Sequence, residues 1–243
     1  MLKKISYMTA GESHGKGLIG IIEGIPAGMN ISEEYIEKDL LRRMQGHGRG
    51  GRMKIEKDHA EIFSGVRHAV TLGSPISLLI KNFDWVNWED RMATGKPKKE
   101  HRKVSMPRPG HADLAGVMKY GLDDIRNVLE RSSARETAMR VAIGAVCRKL
   151  LEEVGITVGS RVYQIHNIVD NTPVSNDMGL KELNDTVDAS PVRCFDKDAE
   201  KKMMDVIDEA RNNGDSVGGS FEVIAKGLPY GLGTYINADG KLQ

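Results

Sequence analysis

Cysteine is scarce: the 243 residues contain two, Cys147 and Cys194, and neither stands in a paired metal-ligand spacing. That excludes a disulfide framework and a cysteine zinc site, and points to a reduced, cytoplasmic protein without structural zinc. Excess charge is lacking too, since 35 basic residues face 34 acidic ones for a net charge of +1. With no global pull toward nucleic acid or anionic membrane, any anion site must be a local concentration of arginine. Long apolar runs are missing; the best, around Ile76 to Ile80, is too short to span a bilayer. Lys3 and Lys4 open the chain, but Gly11-Glu12-Ser13-His14 interrupts any signal-peptide core, so no targeting segment is expected.

Local patterns supply the elements. Leu18 to Glu23 is isoleucine-rich and ends at Gly24-Ile25-Pro26-Ala27-Gly28, which predicts a strand and a turn. Ser32 can cap a helix to about Met44, with Glu33 and Glu34 in its first turn, Arg42 and Arg43 in its last, and Ile36, Leu40 and Met44 forming a buried stripe. Further strands are expected at Met53 to Glu56, Ala60 to Val66, Ile76 to Lys81, Val158 to Val169 and Ser220 to Ala225. Residues 84–109 read as a long loop holding both tryptophans and a lysine-rich run. Helices are expected near His111 to Lys119, from Ser133 to Val154, and from Asp198 to Arg211. Ser133 and Glu136 have the spacing of a capping box, and Gly155 is placed to end the middle helix. Strand plus Gly24-Ile25-Pro26-Ala27-Gly28 is echoed by strand plus Gly227-Leu228-Pro229-Tyr230-Gly231. Either a structural duplication or ordinary turn chemistry accounts for the echo. Strands and helices do not alternate regularly, which favours an α+β fold in a single domain, 1–243.

Four clusters can carry chemistry. In Gly11-Glu12-Ser13-His14-Gly15 a histidine sits on a turn with little bulk around it. It is either a plain surface-turn residue or an imidazole able to exchange protons with a ligand. Arg42, Arg43, Arg49 and Arg52 lie among glycines in a basic loop suited to phosphate and carboxylate. An RGG-type RNA-binding segment has a similar look, but the loop lacks interleaved aromatics and is bracketed by a helix and a strand. It also lacks the lysine and hydroxyl of a P-loop. Pro107-Arg108-Pro109-Gly110-His111-Ala112-Asp113 brings His111 near a helix start, where Asp113 serves either the site or only the helix. Glu130-Arg131-Ser132-Ser133-Ala134-Arg135-Glu136 places hydroxyls and arginines at a helix N-terminus, read as an anion site or as a plain cap. Together these imply acid chemistry on a metabolite with several negative charges, and the residues alone do not name the reaction.

In this order and spacing, the clusters resemble the N-terminal two-thirds of the chorismate synthase family. The matching blocks are GESHGKGLIGIIEGIPAG at 11–28, GRGGRMKIEKD at 48–58, SGVRHAVTLGSPISLLIKN at 64–82, RPGHADL at 108–114 and NVLERSSARETAMRVAIGA at 127–145. The likeness continues through NNGDSVGGSFEVIAKGLPYGLGTY at 212–235. The resemblance implies a β-α-β sandwich and the conversion of 5-enolpyruvylshikimate 3-phosphate to chorismate by 1,4-anti elimination of phosphate. Reduced FMN is required without net redox change, with NADPH a further candidate as flavin reductant. By resemblance His14 protonates the departing phosphate and His111 is a proton donor toward the flavin. Ser13, Arg49, Arg52, Arg108 and Arg135 surround the substrate, Arg131, Ser132 and Ser133 contact FMN, and Arg43 and Arg49 are also tied to NADP. A small-molecule substrate and a homotetramer are implied, with no metal, nucleic acid or membrane partner. Family chains continue past the position of Gln243 into further FMN contacts, a substrate arginine, an R-S-D signature and an aspartate assisting proton removal. Residues 1–243 alone are therefore expected to turn over weakly or not at all. The alternative is a fragment that only binds an anionic ligand or assembles with other chains.

Overall fold

A computed structural model describes residues 4–49 and 58–233, which fall into two compact units. The expected strand at Met53 to Glu56 lies outside the described residues, as does Arg52. The larger unit comprises residues up to Leu41 together with Arg52–Val146; the smaller comprises Arg42–Gly51 and Cys147–Gln243.

In the larger unit, β1 (Ser6–Gly11) and β2 (Gly17–Glu23) form an antiparallel hairpin. β2 pairs on its other side with β6 (Ile76–Lys81), and β6 with β3 (Ala60–Ser64), giving the order β1-β2-β6-β3. Leu18, Gly20 and Ile22 on β2 and Ile76, Leu78 and Ile80 on β6 alternate buried with more open positions, the period-2 signature of a sheet with one covered face. Gly20 lies under α4 (Thr137–Glu153): a Cβ there would come within 2.5 Å of Met139 Sδ and 2.9 Å of Ile143 Cδ1. Helix α1 (Glu33–Met44) buries Ile36 and Leu40 as expected, with Met44 only half-buried, and the Ser32 hydroxyl accepts from the Tyr35 N–H. A two-strand ribbon, β4 (Val66–Arg67) and β5 (Val70–Thr71), turns through His68 and Ala69, both at positive φ as a two-residue hairpin turn requires. The expected loop at 84–109 is irregular apart from a single turn at Trp85–Asn87. Helices α2 (Asp113–Tyr120) and α3 (Arg126–Leu129) follow.

The smaller unit carries the sheet β8-β7-β9, from β7 (Thr157–Ile165), β8 (Ile168–Val169) and β9 (Gly219–Lys226). Helix α5 (Leu180–Asp188) packs Leu180, Leu183 and Val187 into one cluster with Ile224. Gly159 on β7 gives that helix room, since its Cβ would already touch Leu180 and Leu183 at 3.3 Å. Helix α6 (Lys197–Asn212) is capped by Asp196 and buries Met203 and Ala199 against Val192 and Cys194. Every strand pairing between these strands is antiparallel, so the α+β expectation holds. No described helix is long and apolar enough to cross a membrane.

The two echoed turns share one construction. After β2, Gly24 stands at φ +87° where a Cβ would lie 1.7 Å from the Lys4 carbonyl oxygen. After β9, Gly227 stands at φ +82° where a Cβ would lie 2.1 Å from the Gly155 carbonyl oxygen. Each strand thus leaves its sheet by passing against the main chain just before its antiparallel partner.

Candidate active site

The loop between β1 and β2 begins at Gly11, whose φ of +110° and close approach to the Gly17 carbonyl leave no place for a side chain. The turn is tied down by a residue 116 positions further along the chain from His14. Ser13 N–H donates to the Glu130 carbonyl at 2.9 Å, and His14 N–H donates to Glu130 Oε2 at 2.9 Å. The His14 ring reaches the same carboxylate, with Nδ1 2.8 Å from Oε2 and 3.0 Å from Oε1. Glu130 is buried, its side chain 1% exposed, and Arg126 Nη1 donates to Oε1 at 2.8 Å. Trp88, from the long loop, stacks on the His14 ring with centroids 3.8 Å apart. The Arg126 guanidinium lies 5.3 Å from the Trp88 ring, so cation, carboxylate, imidazole and indole form one packed group. The imidazole keeps 21% of its side-chain surface open.

The segment after Glu130 completes this wall. Arg131 donates from Nη2 to the Thr9 carbonyl at 2.8 Å and from Nη1 to the Gly11 carbonyl at 3.2 Å, fixing the end of β1. Ser133 Oγ donates to Ser13 Oγ at 3.1 Å and accepts from Arg135 N–H, capping a short turn at Ala134–Glu136. The capping box does not close. The Glu136 carboxylate accepts from Thr9 Oγ1 at 2.8 Å and from Arg140 Nε instead. Burial would raise that carboxyl, but the Arg140 and Thr9 bonds outweigh it and hold it below the usual range. Arg135 is buried and pairs with buried Asp58.

The 107–113 turn is organised by Asp113, the first residue of α2 and fully buried. Its carboxylate accepts from Arg108 N–H at 3.0 Å, Arg108 Nε at 2.8 Å and Arg108 Nη2 at 2.8 Å. The guanidinium bond is the largest cause of a pKa lowered to about 2, against the opposing pull of burial. Arg108 is correspondingly raised, first by Asp113 and, in smaller part, by the charge of Glu130, so the two turns share one electrostatic field. His111 is exposed, and its ring has no hydrogen-bond partner among the described residues.

The structure therefore gathers Ser13, His14, Arg131 and Ser133 around Glu130, with Arg108 within its field. Ser132 is exposed beside them. Arg43, in the last turn of α1, and Arg49 belong to the smaller unit, where Arg49 donates to the Gln45 carbonyl at 3.0 Å. Arg49 lines a cavity of about 530 Å³ there with Arg42, His47, Asp188 and Arg193. The sequence reading named Glu130 in its fourth cluster without a role, and gave none to Trp88, Arg126 or Asp58. The i,i+4 pair Arg126–Glu130 was visible as a spacing, but nothing local connects it with His14, 116 residues away. For an anionic, phosphate-bearing cofactor the donor chemistry is suitable: Arg131 stays 41% exposed while anchored, next to the exposed Ser132 hydroxyl.

A family profile described as chorismate synthase matches residues 5–243. A chorismate synthase from Listeria welshimeri serovar 6b is 53% identical over 240 residues, covering 98% of this chain and 61% of the relative. One from Bacillus subtilis strain 168 is 54% identical over 243 residues, covering 98% of this chain and 62% of its own length. A solved structure described as a crystal structure of chorismate synthase superposes with a TM-score of 0.79 at 42% identity, over 99% of this chain and 63% of that one. The chain thus spans about three-fifths of the length of the curated relatives it matches.

Proposed function

Because the chain belongs to the chorismate synthase family, we propose that the protein acts as a phosphate lyase, forming chorismate from 5-enolpyruvylshikimate 3-phosphate by 1,4-anti elimination. The observation that carries this reading is the His14 imidazole, held by Glu130 and Trp88 beside a wall of arginines and hydroxyls. A general acid must be positioned as well as protonated, and His14 meets the first demand in the chain itself. In this reading His14 delivers a proton to the departing phosphate while Ser13 lies alongside. Arg108 has two of its three guanidinium nitrogens on Asp113, which leaves Nη1 to meet a substrate anion. By family likeness Arg49, Arg52 and Arg135 are assigned to the substrate's anions as well.

Arg131, Ser132 and Ser133 would hold the reduced FMN, and Arg43 with Arg49 an NADP nucleotide. The bound flavin supplies the electron chemistry of the elimination, and the protein supplies binding, orientation and proton placement. His111, exposed at the start of α2, is the group assigned to donate a proton toward the flavin. A homotetrameric, cytoplasmic enzyme of aromatic amino acid biosynthesis completes the proposal. An anaerobic assay with 5-enolpyruvylshikimate 3-phosphate and chemically reduced FMN tests it, following chorismate absorbance and phosphate release. Both products support the lyase; substrate binding without product replaces it with a binding-only role.

A further inference from the structure

A histidine that exchanges a proton at one nitrogen needs the other nitrogen committed, and the surroundings of Glu130 provide that commitment. Three donors converge on its carboxylate: the His14 ring at Nδ1, the His14 backbone N–H and Arg126 Nη1. An ionised carboxylate only accepts, so Nδ1 must carry hydrogen, and proton exchange falls to Nε2. A structural ion pair would need Arg126 alone. Here the main chain and the side chain of Glu130 both grip the Ser13-His14 dipeptide, through the Ser13 N–H bond to its carbonyl and the two bonds from His14. Burying a carboxylate this deeply is costly unless its partners are well placed. The hydrogen bond fixes the ring's rotation about its own axis, and the Trp88 stack, with planes 29° apart, fixes its tilt.

We propose that Glu130 is the positioning residue for His14, fixing the Nδ1–H tautomer and presenting Nε2 to the departing phosphate. The catalytic half of this statement rests on the lyase reading; the orienting half does not. Long-range ¹H–¹⁵N correlation spectra decide it, with the His14 ring identified by its loss in His14→Gln. The neutral wild-type ring is expected to carry its hydrogen on Nδ1. Glu130→Leu should move hydrogen to Nε2, while Glu130→Gln, which turns an amide against one of three donors, should give a mixture. In the turnover assay Glu130→Gln should lower kcat about 10- to 100-fold with KM unchanged, as loss of part of a general acid's contribution requires. A wild-type ring already protonated on Nε2 overturns the inference without recourse to any variant, so misfolding of a variant does not protect it. An unaltered tautomer in folded Glu130→Leu overturns it equally. If the wild type forms no chorismate, the lyase reading falls, and the spectra still show whether Glu130 orients the ring.

Discussion

The turn at 11–15 and the turn at 107–113 each place a histidine near a buried carboxylate, and each spends that carboxylate differently. Glu130 grips His14 itself, by ring and backbone, with Trp88 against the ring face. Asp113 grips Arg108, by backbone and guanidinium, and His111 is left facing solvent. The first turn fixes an imidazole, and the second fixes a guanidinium beside an exposed imidazole. In a site of this design, the group needing exact aim is held by the fold, while its neighbour can adjust to whatever binds.

The comparison breaks most visibly in turnover. His14→Ala should lower kcat about a hundredfold, and His111→Ala by less, because water can reach the exposed position; equal or reversed losses would remove the distinction. Next in size is the anchor of the second turn. Asp113→Ala deletes an acceptor of three hydrogen bonds and should cost about 1–3 kcal/mol of unfolding free energy in chemical denaturation; an unchanged midpoint would show that the turn does not depend on it. Trp88→Leu should cost about 0.5–1.5 kcal/mol from the lost stack. It should also let diethyl pyrocarbonate modify His14 nearly as fast as His111, where in the wild type His111 reacts first. The smallest effect is in acid. Asp113 has its pKa lowered in the fold, so its contribution is fully present above the ordinary aspartate value of 3.8 and fades as the pH falls from there toward about 2. The stability gap between wild type and Asp113→Ala should narrow across that window, and a gap that widened would reverse the assignment.

Much of the fold was legible because its signals are local. Ile36 and Leu40 repeat with the helical period, Leu18 and Ile22 with the strand period, and all four are buried. Gly155, at φ +77°, ends α4 as expected: its N–H donates to the Glu152 carbonyl and that of Ile156 to the Leu151 carbonyl. β1, β5, α3 and α5 went unread. β1 is an edge strand with Tyr7 and Met8 exposed, so it lacks a clean alternation. In α5 the apolar stripe is diluted by Asn184, Asp185 and Thr186, all modest helix formers. The site divides the same way. Its cations, hydroxyls and histidines announce themselves by composition within short segments. The carboxylate and indole that orient His14 do not, because their role comes from tertiary contact and not from any spacing.

The two glycines at the strand exits carry a consequence of another kind. The obstacle at Gly24 and at Gly227 is a carbonyl of the main chain, which neighbouring side chains cannot repack to relieve. Alanine, serine and every larger residue bring the same β-carbon to the same place. In the language of codes, each position has an alphabet of one letter. Drift can reword the loops on either side, but a misspelling at these two positions has no synonym.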